Sequence, residues 1–423
     1  MYKIYFRQAI QMLMQNKFMS IIAILGTALA IMMIMAIIVS EEMKSVSVSP
    51  EVNRYRTYYL DREVRRDTVI GSQQSGGIIY ETVNDYLYNM EKPELVSAIV
   101  PYFEGNTSIV NMTGSKTTYD SFVRLVDAAY WKIISFNILR GRTFSQEEFD
   151  SGVRYAVISE SMAKKIFHDQ DPLGKSIDIS FKPYHIIGVV EDISPLFHHA
   201  YGEVWVPYTS TNDYKDTGYL VMFLAKTPDD YPVIYAEVRD MEKKYGIDKT
   251  PSLLFLQGPF NHRISYSDIW GNSEQEVNDK IKILNRKMIF ILVILLLVPA
   301  LNLSGLSLSR IKKRTSEIGV RKAFGAKRYI ILIQVLYENL ITSLIGGVLG
   351  LIFSYIVVFW MKDWLLKVPE DAAIPLNTII SPFIFIAVFC ICIFINLLSA
   401  GIPAFRASRM TIINSLNQND KQL

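Results

Sequence analysis

The sequence predicts an α-helical membrane protein with four transmembrane helices and an α+β extracytoplasmic domain inserted between the first and second helices. Four blocks contain no charged side chain, and each has the roughly 20 residues that a helix needs to cross a bilayer. A polar region long enough for a domain separates the first two blocks. Basic residues are concentrated in segments that would share one side of the membrane. The four blocks are residues 18–40, 288–309, 340–361 and 378–405.

An alternative for the first block is a cleaved signal peptide. The uncharged run at residues 18–40 is longer than the roughly 7–15 residues of a signal peptide's apolar region. No small-residue cleavage site follows this run before Glu41. We therefore expect a retained membrane helix.

The basic residues predict the orientation of the spans. The predicted cytoplasmic segment at residues 310–330 has Glu317 as its only acid. With an even number of spans both termini lie on one side, and this basic segment joins them in the cytoplasm. The Lys and Arg residues concerned are Lys3, Arg7, Lys17, Arg310, Lys312, Lys313, Arg314, Arg321, Lys322, Lys327, Arg328, Arg406, Arg409 and Lys421.

The domain organisation follows from these spans. We predict a cytoplasmic interfacial helix, a first span, a two-lobed outer domain, a stalk that continues into the second span, a cytoplasmic coupling segment, a third span, a short outer loop, a fourth span and a cytoplasmic tail. In this order the segments are residues 1–17, 18–41, 42–272, 273–309, 310–330, 331–361, 362–377, 378–403 and 404–423. The stalk is predicted as one continuous helix because no Pro or Gly interrupts it between Ser273 and Pro299.

The outer domain alternates strand-like and helical segments, which is typical of an α+β fold. Residues 194–200 are predicted to form a surface loop, with His198 and His199 as a solvated pair. Strands are predicted at residues 57–60, 95–101, 121–126, 155–158, 176–179, 185–190, 203–206, 219–224 and 253–256, and helices at 80–90, 159–167 and 231–245.

Several classes of function find no support in the sequence. The net charge of +3 is too small to indicate nucleic-acid binding. The run from Leu173 to Ser176 resembles the end of a phosphate-binding loop, but the required glycine is replaced by Asp169, so we expect a turn before a strand. Neither catalytic motifs nor His/Cys spacings typical of metal sites occur. We predict that the chain is not an enzyme and has no catalytic residue, metal or cofactor of its own.

Small residues in the spans predict close helix packing. Gly346 and Gly350 lie four residues apart in the third block, with Ser343 one turn earlier, and Gly26 and Ala30 share this spacing in the first block. These five residues are our candidates for helix packing or dimer contacts. Asn302 in the second block and Asn396 in the fourth block should face other helices and form structural hydrogen bonds. The four blocks contain no Asp, Glu, Lys or Arg of the kind that an ion- or proton-coupled carrier uses, and Glu338 lies just before the third block.

The basic cytoplasmic segment carries the most specific motif. Residues 314–327 read RTSEIGVRKAFGAK, which resembles the coupling segment of MacB-type and FtsX-like permeases of ATP-binding cassette (ABC) systems. Residues 401–409 and, in the family's order, 138–144, 156–159, 172–175 and 187–190 also resemble this family. The matching coupling positions are Arg314, Ser316, Glu317, Ile318, Gly319, Arg321, Lys322, Ala323, Gly325 and Ala326.

This resemblance implies a permease subunit in the bacterial inner membrane that works as a dimer of identical or different permeases. ATP and magnesium would bind a separate cytosolic ATPase, on which the coupling segment would dock. We therefore predict mechanotransmission for export, in which the outer domain moves in response to ATP. A periplasmic adaptor or outer-membrane channel could join an export system, and membrane lipid surrounds the spans.

Three alternatives remain open from the sequence. One is regulation of an extracytoplasmic cell-wall hydrolase, and another is release of lipoproteins from the membrane. The third, from a different class, is a membrane-anchored sensor or receptor without an ATPase.

Overall fold

A computed structural model describes residues 2–15, 17–42, 47–101, 107–168, 170–195, 197–267, 269–313, 319–320, 323–325, 327–361 and 382–409. The chain separates into two compact units. We call Glu42–Leu284 the inserted domain. The helical unit contains the N-terminal helices through Glu41 and the described helices from Asn285 onward.

The described α-helices are α1 (Tyr2–Gln15), α2 (Lys17–Glu42), α3 (Tyr80–Asp85), α4 (Tyr130–Ile133), α5 (Gln146–Asp150), α6 (Glu160–Phe167), α7 (Tyr231–Asp248), α8 (His262–Ser265), α9 (Glu274–Lys313), α10 (Arg328–Trp360) and α11 (Pro382–Arg409). Short 3-10 helices lie at Arg54–Arg56, Leu87–Asn89, Tyr208–Ser210, Tyr214–Asp216 and Pro228–Asp230.

The described strands are β1 (Thr57–Leu60), β2 (Arg62–Asp67), β3 (Gln73–Gly76), β4 (Leu95–Ile99), β5 (Ser108–Met112), β6 (Tyr119–Ser121), β7 (Val123–Val126), β8 (Ile138–Gly141), β9 (Tyr155–Ser159), β10 (Ser176–Ile179), β11 (Lys182–Val190), β12 (Val204–Pro207), β13 (Leu220–Leu224), β14 (Ser252–Gln257) and β15 (Phe260–Asn261).

Two helices of the helical unit are long and apolar enough to cross a membrane, over Lys17–Val39 and Arg328–Val357. A shorter apolar stretch covers Ile386–Ile402. This count is drawn from the described residues, and the count of four spans stays a prediction. The predicted outer loop at residues 362–377 and the end of the chain after residue 409 lie outside the described part.

A mixed sheet forms the centre of the inserted domain. Its strands are ordered β15-β1-β13-β4-β7-β12-β9-β11-β10-β5-β6, and β8 pairs with β11. The pairs β9–β11 and β7–β12 are parallel, whereas β13 is antiparallel to both of its neighbours. All residues of β13 are buried, as expected for a continuous apolar run covered on both faces. A smaller sheet has the order β14-β2-β3.

The inserted domain has two hydrophobic clusters. The larger one surrounds Tyr59, Trp205 and Phe223. The smaller one contains Met162 and Ile166, which α6 places one turn apart on the face that packs against the sheet. The side chain of Ser159 accepts a hydrogen bond from the backbone N of Met162 at 3.2 Å and so caps α6.

The structure confirms most of the predicted elements of this domain. The strands predicted at residues 57–60 and 176–179 have the observed bounds of β1 and β10. Gly174 lies in a turn with φ +74° before β10, so the turn predicted there is also confirmed. The sequence analysis missed β2, β3, β5, β8 and β15 and covered only the last residue of β6. Polar or glycine residues interrupt the apolar alternation in these strands.

The prediction of a surface loop at residues 194–200 is wrong. Phe197 and Ala200 are 3 % and 0 % exposed and belong to the larger hydrophobic cluster. The loop is buried because its apolar residues pack against distant parts of the chain. Its mixture of apolar residues, proline and histidine gave no local sign of this packing.

Candidate functional site

Two distant segments meet at the base of the inserted domain. Strand β1 follows the first apolar helix in sequence, and β15 precedes α9. The two strands pair antiparallel, with Tyr58 opposite Asn261 and Tyr59 opposite Phe260. One backbone ladder therefore joins the segments through which the chain enters and leaves the domain. We call residues 47–60 and 258–284 the stalk base.

A buried ion pair stabilises the stalk base. Glu51 and Arg54 have side chains that are each 1 % exposed, and Arg54 Nε donates to Glu51 Oε2 at 2.6 Å. The backbone N of Ala200 donates to Glu51 Oε1 at 3.0 Å, and His262 Nε2 lies 3.0 Å from Glu51 Oε2. Burial would raise the pKa of Glu51, but Arg54 and His262 outweigh burial and hold the pKa well below its ordinary value.

The interpretation of His198 and His199 as a solvated pair is wrong for His199. This residue is 2 % exposed, and its ring stacks on Tyr59 at a centroid distance of 4.3 Å and lies edge-on to His262 at 5.3 Å. Burial, with a smaller contribution from His262, holds the pKa of His199 well below its ordinary value. We therefore assign His199 a structural role as a neutral ring.

Hydrogen bonds connect the first turn of α9 to the residues that precede it. The Oγ of Ser273 accepts from the backbone N of Glu276 at 3.3 Å, and Glu276 Oε2 accepts from the backbone N of Asn272 at 2.9 Å. Lys280 donates to Glu276 Oε1 at 2.7 Å and lies 4.6 Å from the ring centroid of Trp270. These reciprocal bonds satisfy backbone donors that a helix start leaves without partners.

Helix α7 also contacts the start of α9. The hydroxyl of Tyr235 donates to Glu274 at the start of α9. Arg239 donates to Glu242 at 2.8 Å and to the carbonyl of Leu256 at 2.8 Å. This arginine thereby connects α7 to β14, next to the residues that contact α9.

A cavity of about 540 Å³ lies in the stalk base, and the first two turns of α9 form one wall. Arg239 and Glu274 are its charged lining residues, and Val277 and Ile281 come from α9. Its aromatic lining residues are Tyr55, Tyr58, Tyr231, Tyr235, Phe255 and Phe260.

In the helical unit, Gly346 and Gly350 lie against the first apolar helix. A Cβ at Gly346 would be 2.9 Å from the Cβ of Thr27, and a Cβ at Gly350 would be 2.8 Å from the carbonyl oxygen of Ala28. Such distances leave no room for a methyl group. Helices α2 and α10 therefore approach closely where the sequence has paired glycines.

The other predicted packing residues have mixed environments. Ser343 is fully buried and accepts a hydrogen bond from Asn396 of α11 at 3.3 Å, which confirms the prediction for Asn396. Ala30 is 8 % exposed and Gly26 is half-buried. Glu338 lies inside α10 and is 6 % exposed, so this carboxyl group is enclosed by protein.

Much of the predicted coupling segment lies outside the described residues. The described positions are Gly319, Ala323 and Gly325, with Val320 and Phe324 as their neighbours. Phe324 is 88 % exposed, and Gly325 has φ +88° in a turn directly before α10. The coupling positions that lie outside the described residues are Arg314, Ser316, Glu317, Ile318, Arg321, Lys322 and Ala326. The coupling role of all these residues stays a prediction.

No group of three His, Cys, Asp or Glu residues that could hold a metal occurs in the part of the chain that the structure describes. The sequence analysis missed Glu51 and Arg54 as a structural centre. Their partners come from far along the chain, with Ala200 lying 149 residues from Glu51. The one local signal is the spacing of Glu51 and Arg54 by three residues.

The sequence matches two described families. Residues 20–241 match the MacB-like periplasmic core domain, and residues 289–412 match the FtsX-like permease C-terminal region. The ABC transporter permease YknZ of Bacillus subtilis is 25 % identical over 358 residues, which cover 82 % of this chain and 84 % of that protein.

The macrolide export ATP-binding/permease protein MacB of Neisseria meningitidis is 23 % identical over 417 residues. The match covers 98 % of this chain but 61 % of that relative. The crystal structure of the extracellular domain of YknZ from Gram-positive bacteria aligns with 47 % of this chain and 100 % of that domain, with a TM-score of 0.36 and 18 % identity. From the two family matches we conclude that this chain belongs to the ABC transporter permeases with a MacB-like periplasmic core domain and an FtsX-like C-terminal region.

Proposed function

We propose that this chain is a four-span permease subunit that couples ATP hydrolysis by a separate cytosolic ATPase to movement of its periplasmic domain. The continuous helix α9 carries this proposal, because it extends from the stalk base to Lys313, directly before the coupling motif. Its 40 residues correspond to a rod of about 60 Å. We further propose that both termini lie in the cytoplasm.

Export is the direction that we favour. The relatives named for macrolide export support this choice, and the charge-free blocks offer no polar path through the centre of the membrane. In this mechanism ATP binding shifts the coupling segment, α9 moves with it, and the stalk base transmits the motion to the inserted domain. The substrate is handled outside the membrane.

The test is affinity purification of the chain from its native host, followed by mass spectrometry and ATPase assay. We expect a stoichiometric ABC ATPase, and we expect Glu317→Lys to reduce its recovery because the change reverses the charge of the one acidic residue in the predicted coupling segment. Glu91→Lys is the control, since Glu91 is an exposed residue of the inserted domain. Purification without any ATPase would favour a receptor and contradict the proposal.

The same purification separates the other candidate functions. A bound periplasmic adaptor or outer-membrane channel favours efflux. A bound cell-wall hydrolase favours the regulatory function, and a bound lipoprotein favours lipoprotein release.

A further inference from the structure

A second cavity lies within the inserted domain, away from the stalk base. Its volume is about 490 Å³, which is in the range of small-molecule sites. The walls come from α3, α5 and the 3-10 helices Leu87–Asn89, Tyr208–Ser210 and Tyr214–Asp216. Four tyrosines line it, so we call it the tyrosine cavity: Tyr80, Tyr88, Tyr208 and Tyr214.

The rings of the tyrosine cavity are held at fixed angles to one another. Tyr80 and Tyr214 lie edge to face, with a centroid distance of 5.0 Å and an interplanar angle of 89°. Phe149, which also lines the cavity, lies edge to face with Tyr208 at 4.7 Å. The cavity therefore presents aromatic surfaces in several orientations, and the faces of these rings carry negative electrostatic potential.

Among the described residues, the cavity lining has two acidic side chains, Asp127 and Asp150, and no Lys, Arg or His. Asp127 is 2 % exposed and accepts four hydrogen bonds, from the hydroxyls of Ser97 and Tyr88 and the backbone N atoms of Ala98 and Tyr130. All four donors are neutral, so a buried carboxylate faces the cavity without a compensating positive charge among these donors.

The hydroxyl groups of Tyr208 and Tyr88 form a chain of hydrogen bonds that ends at Asp127. The Tyr88 hydroxyl donates a hydrogen bond to Asp127 at 2.7 Å. Because this uses its one hydrogen, Tyr208 is the donor in the 2.9 Å hydrogen bond between the two tyrosines. Burial also raises the pKa of Asp127, which indicates that a cation nearby would stabilise the ionised form.

A lysine side chain of the protein itself, Lys215, lies near the rim of the tyrosine cavity. Lys215 Nζ lies 5.9 Å from the ring centroid of Tyr80 and 5.8 Å from that of Tyr214. These distances are at the outer limit of a cation–π interaction. The two rings can therefore attract a positive charge, and the exposed lysine would compete with any cation that enters.

We propose that the tyrosine cavity is a binding site for an organic cation, an ammonium group with apolar substituents. The aromatic faces and the two carboxylates would both stabilise such a group. The two carboxylates would repel an anion, and no basic side chain among the described lining residues would offset this repulsion. This site is distinct from the cavity beside α9, and its occupancy does not depend on the proposed transport function.

The test is isothermal titration calorimetry on the full chain in dodecyl maltoside. The probes are choline and its uncharged isostere 3,3-dimethylbutan-1-ol, which have nearly the same shape. We expect choline to bind one molecule per chain, and to bind about tenfold more tightly than the isostere because the positive charge supplies most of the attraction.

Three variants localise the binding. Tyr214→Leu and Asp150→Asn should each weaken choline binding by about threefold, because they remove a ring and a rim charge. Lys215→Ala should strengthen binding by about twofold, since it removes a competing cation. Asp240→Asn is the control, because Asp240 is an exposed residue of α7 outside the cavity, and it should change nothing.

Equal affinity for choline and its isostere, or non-saturable binding of choline, would overturn the proposal. Unchanged binding in both Tyr214→Leu and Asp150→Asn would also overturn it, because choline would then occupy another place. These variants change partly exposed positions, so the result does not require substitution of the buried Asp127.

Discussion

Glu51 and Arg54 form an ion pair that is shielded from water, and enclosing two charges carries a desolvation cost. The cost is reduced here because Glu51 also contacts the backbone N of Ala200 and the ring of His262. These contacts join three separate segments of the chain. We infer that the pair contributes to the specific arrangement of the stalk base more than to its overall stability.

His199 provides a pH-dependent prediction at the same scale. Its pKa is lowered in the folded state, so the unfolded chain binds a proton more readily as the pH falls below about 6.5. Folding stability should therefore decrease between pH 7.5 and pH 5, by up to about 1.4 kcal/mol per pH unit from this residue. Denaturant unfolding followed by tryptophan fluorescence measures this slope.

The comparison variant is His199→Phe, which keeps an aromatic ring beside Tyr59 but cannot titrate. We expect it to lose most of the acid sensitivity that is due to residue 199. Groups remote from residue 199 cancel in the difference, including Glu242, whose pKa burial raises to about 7. Identical pH slopes in the two proteins would show that His199 is not held neutral by the fold.

At the scale of elements, the contact between α2 and α10 depends on residues that lack a side chain. Gly346 and Gly350 are one turn apart, so both face the same neighbour. Membrane helices gain little from burying apolar surface, and close backbone approach provides packing energy instead. The GxxxG pattern predicted such a face, but the sequence could not decide which helix lies against it.

Gly350→Ala should destabilise the helical unit even though alanine favours helices by about 1 kcal/mol. The added Cβ would lie 2.8 Å from the carbonyl oxygen of Ala28, and such overpacking costs about 1–3 kcal/mol. Thermal unfolding in detergent should show a lower midpoint. Gly401→Ala in α11 is the matched control, because no atom lies within 4 Å of its added Cβ. A midpoint for Gly350→Ala equal to or above that of the control would contradict the packing.

At the scale of the whole molecule, α9 contributes several turns to each of the two units. Its first turns are anchored by Tyr235 and by the cap around Ser273. The turns of α9 between its start and Pro299 contain no other proline and no glycine, and they transmit force only while their hydrogen-bond ladder is intact. The proposed mechanism therefore depends on the integrity of α9 between the two units.

Lys282→Pro tests this dependence, because proline within a helix removes a hydrogen bond and costs about 3 kcal/mol. In the purified complex with its ATPase, we expect ATP to alter hydrogen exchange of the stalk base in the wild type but not in this variant. ATP hydrolysis itself should continue. Lys282→Ala is the control, since it removes an exposed ion pair with Asp279 and leaves the ladder intact. An unchanged ATP response in Lys282→Pro would exclude α9 as the transmitting element.

The sequence alone determined the apolar blocks, the continuous stalk helix, most strands and the family. These features depend on local properties, namely the length of an uncharged run, the period of apolar residues and ordered motifs. The tertiary structure decided that the loop with His199 is buried, that Glu51 meets Ala200 and His262, and that carboxylates and tyrosines surround one cavity. Those contacts join residues far apart in the chain, and no local pattern specifies which distant side chains will share an enclosed space.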